Sequence, residues 1–217
     1  MIMVNDIYPS VQGEGAKVGT PMVILRLQGC DVGCVWCDTK ETWPSEANKP
    51  YLEDVLGKNG NAALVDEREI AEHIRIYHPQ YRWVMVTGGE PALQDLEKLV
   101  QVLHRDGLSV ALETSGTARG SLRAAFDWVC VSPKIRAAKP IDLDVIGTAD
   151  EIKTVIGKES DLALLEKLLV GWPVREDCII SLQPVSISKN ATRLCLDYAM
   201  KRGWNISIQV HKYIEVA

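Results

Sequence analysis

The sequence predicts an α/β fold, a modified and incomplete (β/α) barrel with a mostly parallel sheet, in one domain spanning residues 1–217. Three observations predict it. Apolar runs of strand length alternate with amphipathic stretches of helical period, the order that builds parallel βα units. Several of these runs are almost wholly apolar, as strands buried on both faces are. The 217 residues also fall short of the ~250 that a complete eight-unit barrel takes.

The first strand read is Pro21 to Gln28, P-M-V-I-L-R-L-Q. Trp83 to Thr87, Ser109 to Glu113, Trp128 to Ser132, Glu151 to Ile156, Cys178 to Gln183 and Asn205 to Val210 follow the same pattern. Helices fall between them. Asp66 with Glu69 resembles a capping box, after which Ile70, Ile74 and Tyr77 share a face. Leu93, Leu96, Val100 and Leu103 form the next stripe, with Gly107 as its terminator. Leu162 to Leu169 and Thr192 to Arg202 read as helices too, the latter closing at Gly203. Glu67 to Arg75 reads as a solvated helix face. Residues 41–65 follow no motif, and no repeat or linker divides the chain.

Composition narrows the function classes. A net charge of -5 and a pI near 5.4 argue against nucleic acid as the main partner. Met1 to Ser10 lack the basic start and long apolar run of a signal peptide, and no apolar stretch approaches bilayer length. A cytoplasmic setting without membrane contact is therefore expected, where disulfides rarely persist.

Chemically able residues gather where the strands end: Thr87-Gly88-Gly89-Glu90, Glu113-Thr114-Ser115, Ser132-Pro133-Lys134, Gln183-Pro184 and His211-Lys212. Parallel α/β sheets bind ligands at the carboxyl ends of their strands. Any one segment could be an ordinary turn, but together they describe one rim.

The strongest signal is Cys30-Asp31-Val32-Gly33-Cys34-Val35-Trp36-Cys37, with C-x3-C-x2-C spacing. Thiolates suit soft metals and iron–sulfur clusters. A cubane cluster has four irons and is often held by four cysteines, so three ligands leave one iron open. The alternatives are a zinc held by three cysteines and a histidine, or a fourth thiolate from Cys130, Cys178 or Cys195. None of His73, His78, His104 or His211 lies near the loop in sequence, and the other cysteines sit in or beside apolar runs.

The triplet, with Trp36 before its last cysteine, resembles the signature of the radical S-adenosylmethionine (SAM) superfamily. Gly88-Gly89-Glu90-Pro91 resembles the motif that meets the methionine end of SAM there. Along nearly the whole chain, the sequence is similar to the 7-carboxy-7-deazaguanine synthase family within that superfamily. The similarity runs through Val11-Gln12-Gly13-Glu14-Gly15, Arg26-Leu27-Gln28-Gly29-Cys30 and Trp36-Cys37-Asp38-Thr39-Lys40. It continues in Glu113-Thr114-Ser115-Gly116, Val131-Ser132-Pro133-Lys134, Leu182-Gln183-Pro184 and His211-Lys212-Tyr213.

The resemblance implies a radical SAM barrel and conversion of 6-carboxy-5,6,7,8-tetrahydropterin to 7-carboxy-7-deazaguanine with loss of ammonia, in 7-deazapurine (queuosine) biosynthesis. It implies a 4Fe-4S cluster on Cys30, Cys34 and Cys37, SAM, and Mg2+ with Thr39 as ligand. SAM would meet Trp36, Cys37, Asp38, Gly89, Ser132, Pro133, Lys134 and Gln183, with Ser115 beside them. The pterin would meet Val11, Gln12, Gly13, Glu14, Arg26 and Thr87, with the carboxylate of Ala217 tucked toward it. A flavodoxin-like electron donor and a homodimer are further implications.

Chemistry supports parts of this set: the Arg26 guanidinium forms a rigid fork suited to a carboxylate. Each residue also has a plainer reading. Arg26 fits a surface ion pair, Thr39 a turn cap, Gly88-Gly89 a tight turn and Lys134 an exposed lysine. Two rival functions remain open at this point: a glycyl-radical-enzyme activase of the same superfamily, and a non-catalytic iron–sulfur or electron-transfer module.

Overall fold

A computed structural model describes residues 1–35, 37–58, 60–137 and 139–214. Among these residues nine strands form one sheet: β1 (Ile2–Val11), β2 (Pro21–Leu27), β3 (Ala63–Val65), β4 (Trp83–Gly88), β5 (Ser109–Thr114), β6 (Trp128–Val131), β7 (Glu151–Ile156), β8 (Ile179–Pro184) and β9 (Asn205–Ile206). Their lateral order is β3-β1-β2-β4-β5-β6-β7-β8-β9. From β2 through β4 to β9 every pairing is parallel, whereas β1 runs antiparallel to β2 and β3. The helices are α1 (Glu67–Tyr77), α2 (Glu97–Arg105), α3 (Leu143–Gly147), α4 (Glu159–Gly171), α5 (Lys189–Arg202) and α6 (His211–Ile214).

The two lateral ends of the sheet do not pair with each other among the described residues, so the barrel is open. The connection from β1 to β2 bridges toward β7–β9. Gly15 N donates to Ser207 Oγ at 2.8 Å, Ala16 N to Glu151 Oε2 at 3.0 Å, and Val210 N to Gly13 O at 2.8 Å.

Alternation along the strands separates two environments. Val84 and Val86, Val110 and Leu112, and Ile152 point outward and pack with Ile70, Ile74, Leu99 and Leu103 of the helices. Each such buried side chain contributes roughly 1.5–3 kcal/mol relative to exposure. Inward, Met22, Ile24, Met85 and Ala111 cluster with Tyr8, Trp83 and Trp128. The Lys17 ammonium lies 4.4 Å from the centroid of Trp83 and 4.5 Å from that of Trp128. Both tryptophans open their strands, so this plug fills the amino end of the barrel and leaves the carboxyl end free for polar groups.

Several expectations need correction. β1 and β3 were not expected, and β1 explains how the amino-terminal residues join the sheet. The last strand covers only Asn205–Ile206 rather than reaching Val210. Leu93 lies in a 3₁₀ turn and is exposed, because Gln94 is extended and α2 starts only at Glu97. Tyr77 is exposed as well. Asp66 caps α1 alone, accepting from Arg68 N at 2.9 Å. Glu67 is buried against Lys98 at 2.5 Å, rather than solvated. Gly203 does close α5, in the left-handed region with φ 68°. Among the described residues, no helix is long and apolar enough to cross a membrane.

Candidate active site

A cavity of about 580 Å³ opens at the carboxyl end of the strands. The cysteine loop follows β2, and its first residues are held by the segment that showed no motif. Gly29 N donates to Thr42 O at 2.8 Å, Cys30 N to Trp43 O at 3.2 Å, and Gln28 Nε2 to Glu41 O at 3.1 Å. The strand-end glycines make room for this loop. A Cβ on Gly89 would sit 2.3 Å from Gly29 O and 3.0 Å from Cys30 Cβ, and one on Gly88 would meet Leu27 O at 2.3 Å.

Glu90 then ties β4 to β5. Its buried carboxylate accepts from Ala92 N at 3.0 Å, Thr114 Oγ1 at 2.6 Å and Ser115 N at 2.7 Å, and also from Ser115 Oγ. The cysteine loop and the next strand end are therefore registered to each other through the backbone and one carboxylate. Nothing in the sequence motif alone assigned Glu90 that work.

Cys30, Cys34 and Cys37 are free, half-buried and all line the cavity. Burial pushes the thiols of Cys30 and Cys34 up, so iron binding would have to displace protons. The other cysteines do not join them. Cys130 and Cys195 are buried, the latter on the inner face of α5, and Cys178 packs against the outer core. Among the described residues no three His, Cys, Asp or Glu side chains converge as a closed site for one ion. A cubane puts each thiolate on its own iron, so its ligands need not converge as those of a single zinc must. The donor set and the glycine cradle thus fit a cluster better than zinc.

Around this loop the cavity gathers Asp38, Thr39, Gly89, Ser115, Ser132, Lys134 and Gln183. Lys134 Nζ donates to Ser132 Oγ at 2.8 Å, and Gln183 Oε1 accepts from Ser207 Oγ at 2.8 Å. Thr39 Oγ1 is 3.7 Å from Cys37 Sγ. Pro133 is buried but does not line the cavity. The expectations for Trp36 and Ala217 fall outside the described residues.

The inner wall carries the remaining candidates. Val11, Gln12, Gly13, Glu14, Arg26 and Thr87 all line the same cavity. Arg26 and Thr87 are register partners on β2 and β4. Arg26 donates to the Tyr8 hydroxyl, with its guanidinium 5.2 Å from the ring centroid, and has Glu41 at 3.9 Å. Burial raises the Tyr8 phenol, and the nearby guanidinium only partly opposes it. Gly13 lies under His211, where a Cβ would come within 2.3 Å of Nδ1.

Sequence reasoning missed two residues here, Tyr8 and Lys153, and gave no role to Glu113 beyond its place on the rim. Lys153 is buried and reaches Glu14 Oε2 at 2.6 Å and Glu113 Oε1 at 2.8 Å. Gln12 Nε2 donates to Glu113 at 3.3 Å, and Gln209 Nε2 to Glu14 Oε1 at 2.6 Å. A signal existed, since alternation in E-I-K-T-V-I places Glu151, Lys153 and Val155 on one face.

Comparison with known proteins agrees with this geometry. The model of the radical SAM superfamily matches residues 24–138. The 7-carboxy-7-deazaguanine synthase of Escherichia coli (strain K12) is 36% identical over 221 residues, covering 99% of this chain and 98% of that protein. The synthase of the same name from Flavobacterium psychrophilum is 32% identical, over 100% of this chain and 93% of its own. A crystal structure of QueE from Escherichia coli superposes with a TM-score of 0.89 at 34% identity, over 97% of this chain and 94% of that one. Radical SAM membership implies a 4Fe-4S cluster and SAM, which the cysteine loop and its cradle fit. An open α/β barrel, a three-cysteine loop at its carboxyl end and full-length similarity converge: this chain belongs to the 7-carboxy-7-deazaguanine synthase family of radical SAM enzymes.

Proposed function

We propose that this radical SAM enzyme converts 6-carboxy-5,6,7,8-tetrahydropterin to 7-carboxy-7-deazaguanine with release of ammonia. One observation carries the reading: the three-cysteine loop and a wall of amide, carboxylate and guanidinium groups face a single cavity. Held by Cys30, Cys34 and Cys37, the cluster together with SAM would supply one-electron radical chemistry at a carbon of the substrate. The protein's part is to hold that carbon in place and to keep water from competing.

In this reading Arg26 takes the substrate carboxylate, steadied by Tyr8 on one side. Gln12 and Glu14, with the backbone of Val11 and Gly13 and the hydroxyl of Thr87, take the pterin edge, and the family resemblance assigns Ala217 to the same molecule. Gly89, Ser115, Ser132, Lys134 and Gln183, with Trp36, Cys37 and Asp38, take SAM, while the buried Pro133 stiffens the turn between Ser132 and Lys134. Thr39 would hold Mg2+ through its hydroxyl, an oxygen donor of the kind a hard cation takes. A flavodoxin-like electron donor and a homodimer belong to the same reading.

The test is anaerobic reconstitution and reduction, then SAM with and without the carboxytetrahydropterin and Mg2+. Substrate-dependent 5′-deoxyadenosine and the deazapurine product are expected. SAM cleavage without pterin turnover would favour an activase, and no cleavage a passive iron–sulfur module. Thr39→Val should blunt the Mg2+ response; an unchanged response would remove that ligand role.

A further inference from the structure

Lys153 stands in mid-strand on β7, where its long side chain points into the barrel and is wholly buried. It is too valuable a charge to be filler: an unpaired buried ammonium costs several kcal/mol. Two carboxylates face it from separate elements, Glu14 from the β1–β2 connection and Glu113 from β5. Cys130 of β6 and Glu151 of β7 itself also face this group of charges, and His211 faces Glu14 from α6. One cation therefore serves two carboxylates that both line the cavity, and the pair keeps an unbalanced negative charge toward the ligand.

We infer that Lys153 is a positioning residue that holds Glu14 and Glu113 side by side as ionised acceptors for the N–H-bearing pyrimidine edge of the pterin. This rests on the proposed function. The geometry favours it because Lys153 and Gln12 both donate to Oε1 of Glu113, and Lys153 to Oε2 and Gln209 to Oε1 of Glu14. Both carboxylates are thereby fixed in direction, while carboxylate oxygens retain lone pairs for a ligand. A pyrimidine edge with amino and ring N–H donors is the chemical complement of two such acceptors.

The electrostatics point the same way. Burial pushes Glu14 up, but the Lys153 ammonium outweighs it and holds the carboxyl down at about 2. Burial likewise pulls Lys153 down, and Glu113 and Glu14 outweigh that, keeping it protonated. Remove the ammonium, and burial and the neighbouring carboxylate both drive Glu14 toward its protonated form.

The experiment compares wild type, Lys153→Met and Lys153→Arg as reconstituted holoenzymes, reading kcat and KM for 6-carboxy-5,6,7,8-tetrahydropterin between about pH 6 and about pH 9. Lys153→Met should raise KM roughly tenfold or more at the acid end, where the pair holds a proton. The defect should shrink as pH rises, and Lys153→Arg should restore much of the affinity without the pH dependence. A loss independent of pH, or one confined to kcat, would overturn the assignment. Infrared spectroscopy supplies a readout that needs no substrate. A protonated-carboxyl band should appear in Lys153→Met near neutral pH and vanish in Lys153→Met/Glu14→Gln; its absence from the single variant overturns the inference. If wild type fails to turn over the pterin, the proposed function falls while the infrared result still decides the role of Lys153.

Discussion

Replacing Glu90 by glutamine changes two atoms' worth of chemistry and removes a carboxylate that joins the Gly88-Gly89 turn to the next strand. Its two oxygens face two backbone donors: Ala92 N at one and Ser115 N at the other. Each oxygen also receives a hydroxyl, from Thr114 and Ser115 respectively. A hydroxyl can rotate and accept from an amide NH2, but a backbone N–H cannot. Whichever way the glutamine turns, one buried backbone N–H faces a donor. Leaving such a group unpaired costs about 1–3 kcal/mol, and the surviving bonds lose their charge assistance, each worth about 1 kcal/mol. The sum is about 3–5 kcal/mol, or roughly 10 °C in Tm for a chain of this size. Thermal unfolding under anaerobic conditions measures it directly, and SAM binding should weaken in step because Glu90 N also holds Gly29 O at 2.9 Å. A loss below about 1 kcal/mol with normal SAM binding would refute the four-donor account.

Other substitutions test separate parts of the site. Gly89→Ala forces a Cβ into the Gly29 carbonyl and against Cys30, so cluster loading, read from the visible absorption per chain, should fall sharply; normal loading would show that the loop yields easily. Cys34→Ala should abolish SAM cleavage, whereas Cys195→Ala, on the inner face of α5, should leave it intact at a stability loss of about 1 kcal/mol; loss of cleavage in both would undo the assignment of cluster ligands. Acid stability should follow Glu14, whose carboxyl is held down from 4.5 to about 2 against the push of burial, chiefly by Lys153. A depressed carboxyl stabilises the fold above its unfolded value and loses that contribution as pH falls, here from about 4.5 toward about 2. The amount is ~3 kcal/mol, and Lys153→Met should flatten this acid limb in urea titrations.

Much of the architecture was legible because β4 to β8 are short apolar runs followed by turn chemistry, and helices between most of them imply parallel pairing; β5 and β6 are joined by turns alone. β1 was not legible. Asn5, Asp6 and Pro9 break its pattern, and a register irregularity between Val4 and Asp6 shifts which side chains face inward. The overlong reading of the last strand has the opposite cause: residues 207–210 are strand-like in composition but turn inward to meet Gly13. Of the site, the cysteine loop and the strand-end segments could be read because spacing carries them. Tyr8, Glu90 and Lys153 act through partners distant in sequence, which no local pattern displays. The segment 41–65 illustrates the same limit: its carbonyls at Thr42 and Trp43 support the cysteine loop, and carbonyls have no residue signature.

The partition of each strand into an outward apolar row and an inward polar row has a consequence beyond the chemistry. On β7, Ile152 and Ile156 face the helices while Lys153 and Val155 line the cavity and Glu151 lies buried on the same inner face. A slip of one residue would turn Lys153 into the helix-facing core and Ile152 into the cavity. The first exchange strands an ammonium among leucines and isoleucines, and the second leaves Glu14 and Glu113 without their cation. Lys153 is tied to β5 and to the β1–β2 connection, and Glu151 to that connection and to Ser181 on β8. The same side chains that shape the ligand wall therefore fix the register of the strand that carries them. In an open barrel, whose lateral ends do not pair among the described residues, that interior lattice does the aligning that closure would otherwise provide. Function and fold are coupled at these positions, so substitutions there should lower substrate affinity and conformational stability together, while outward-facing substitutions of equal size should lower stability alone.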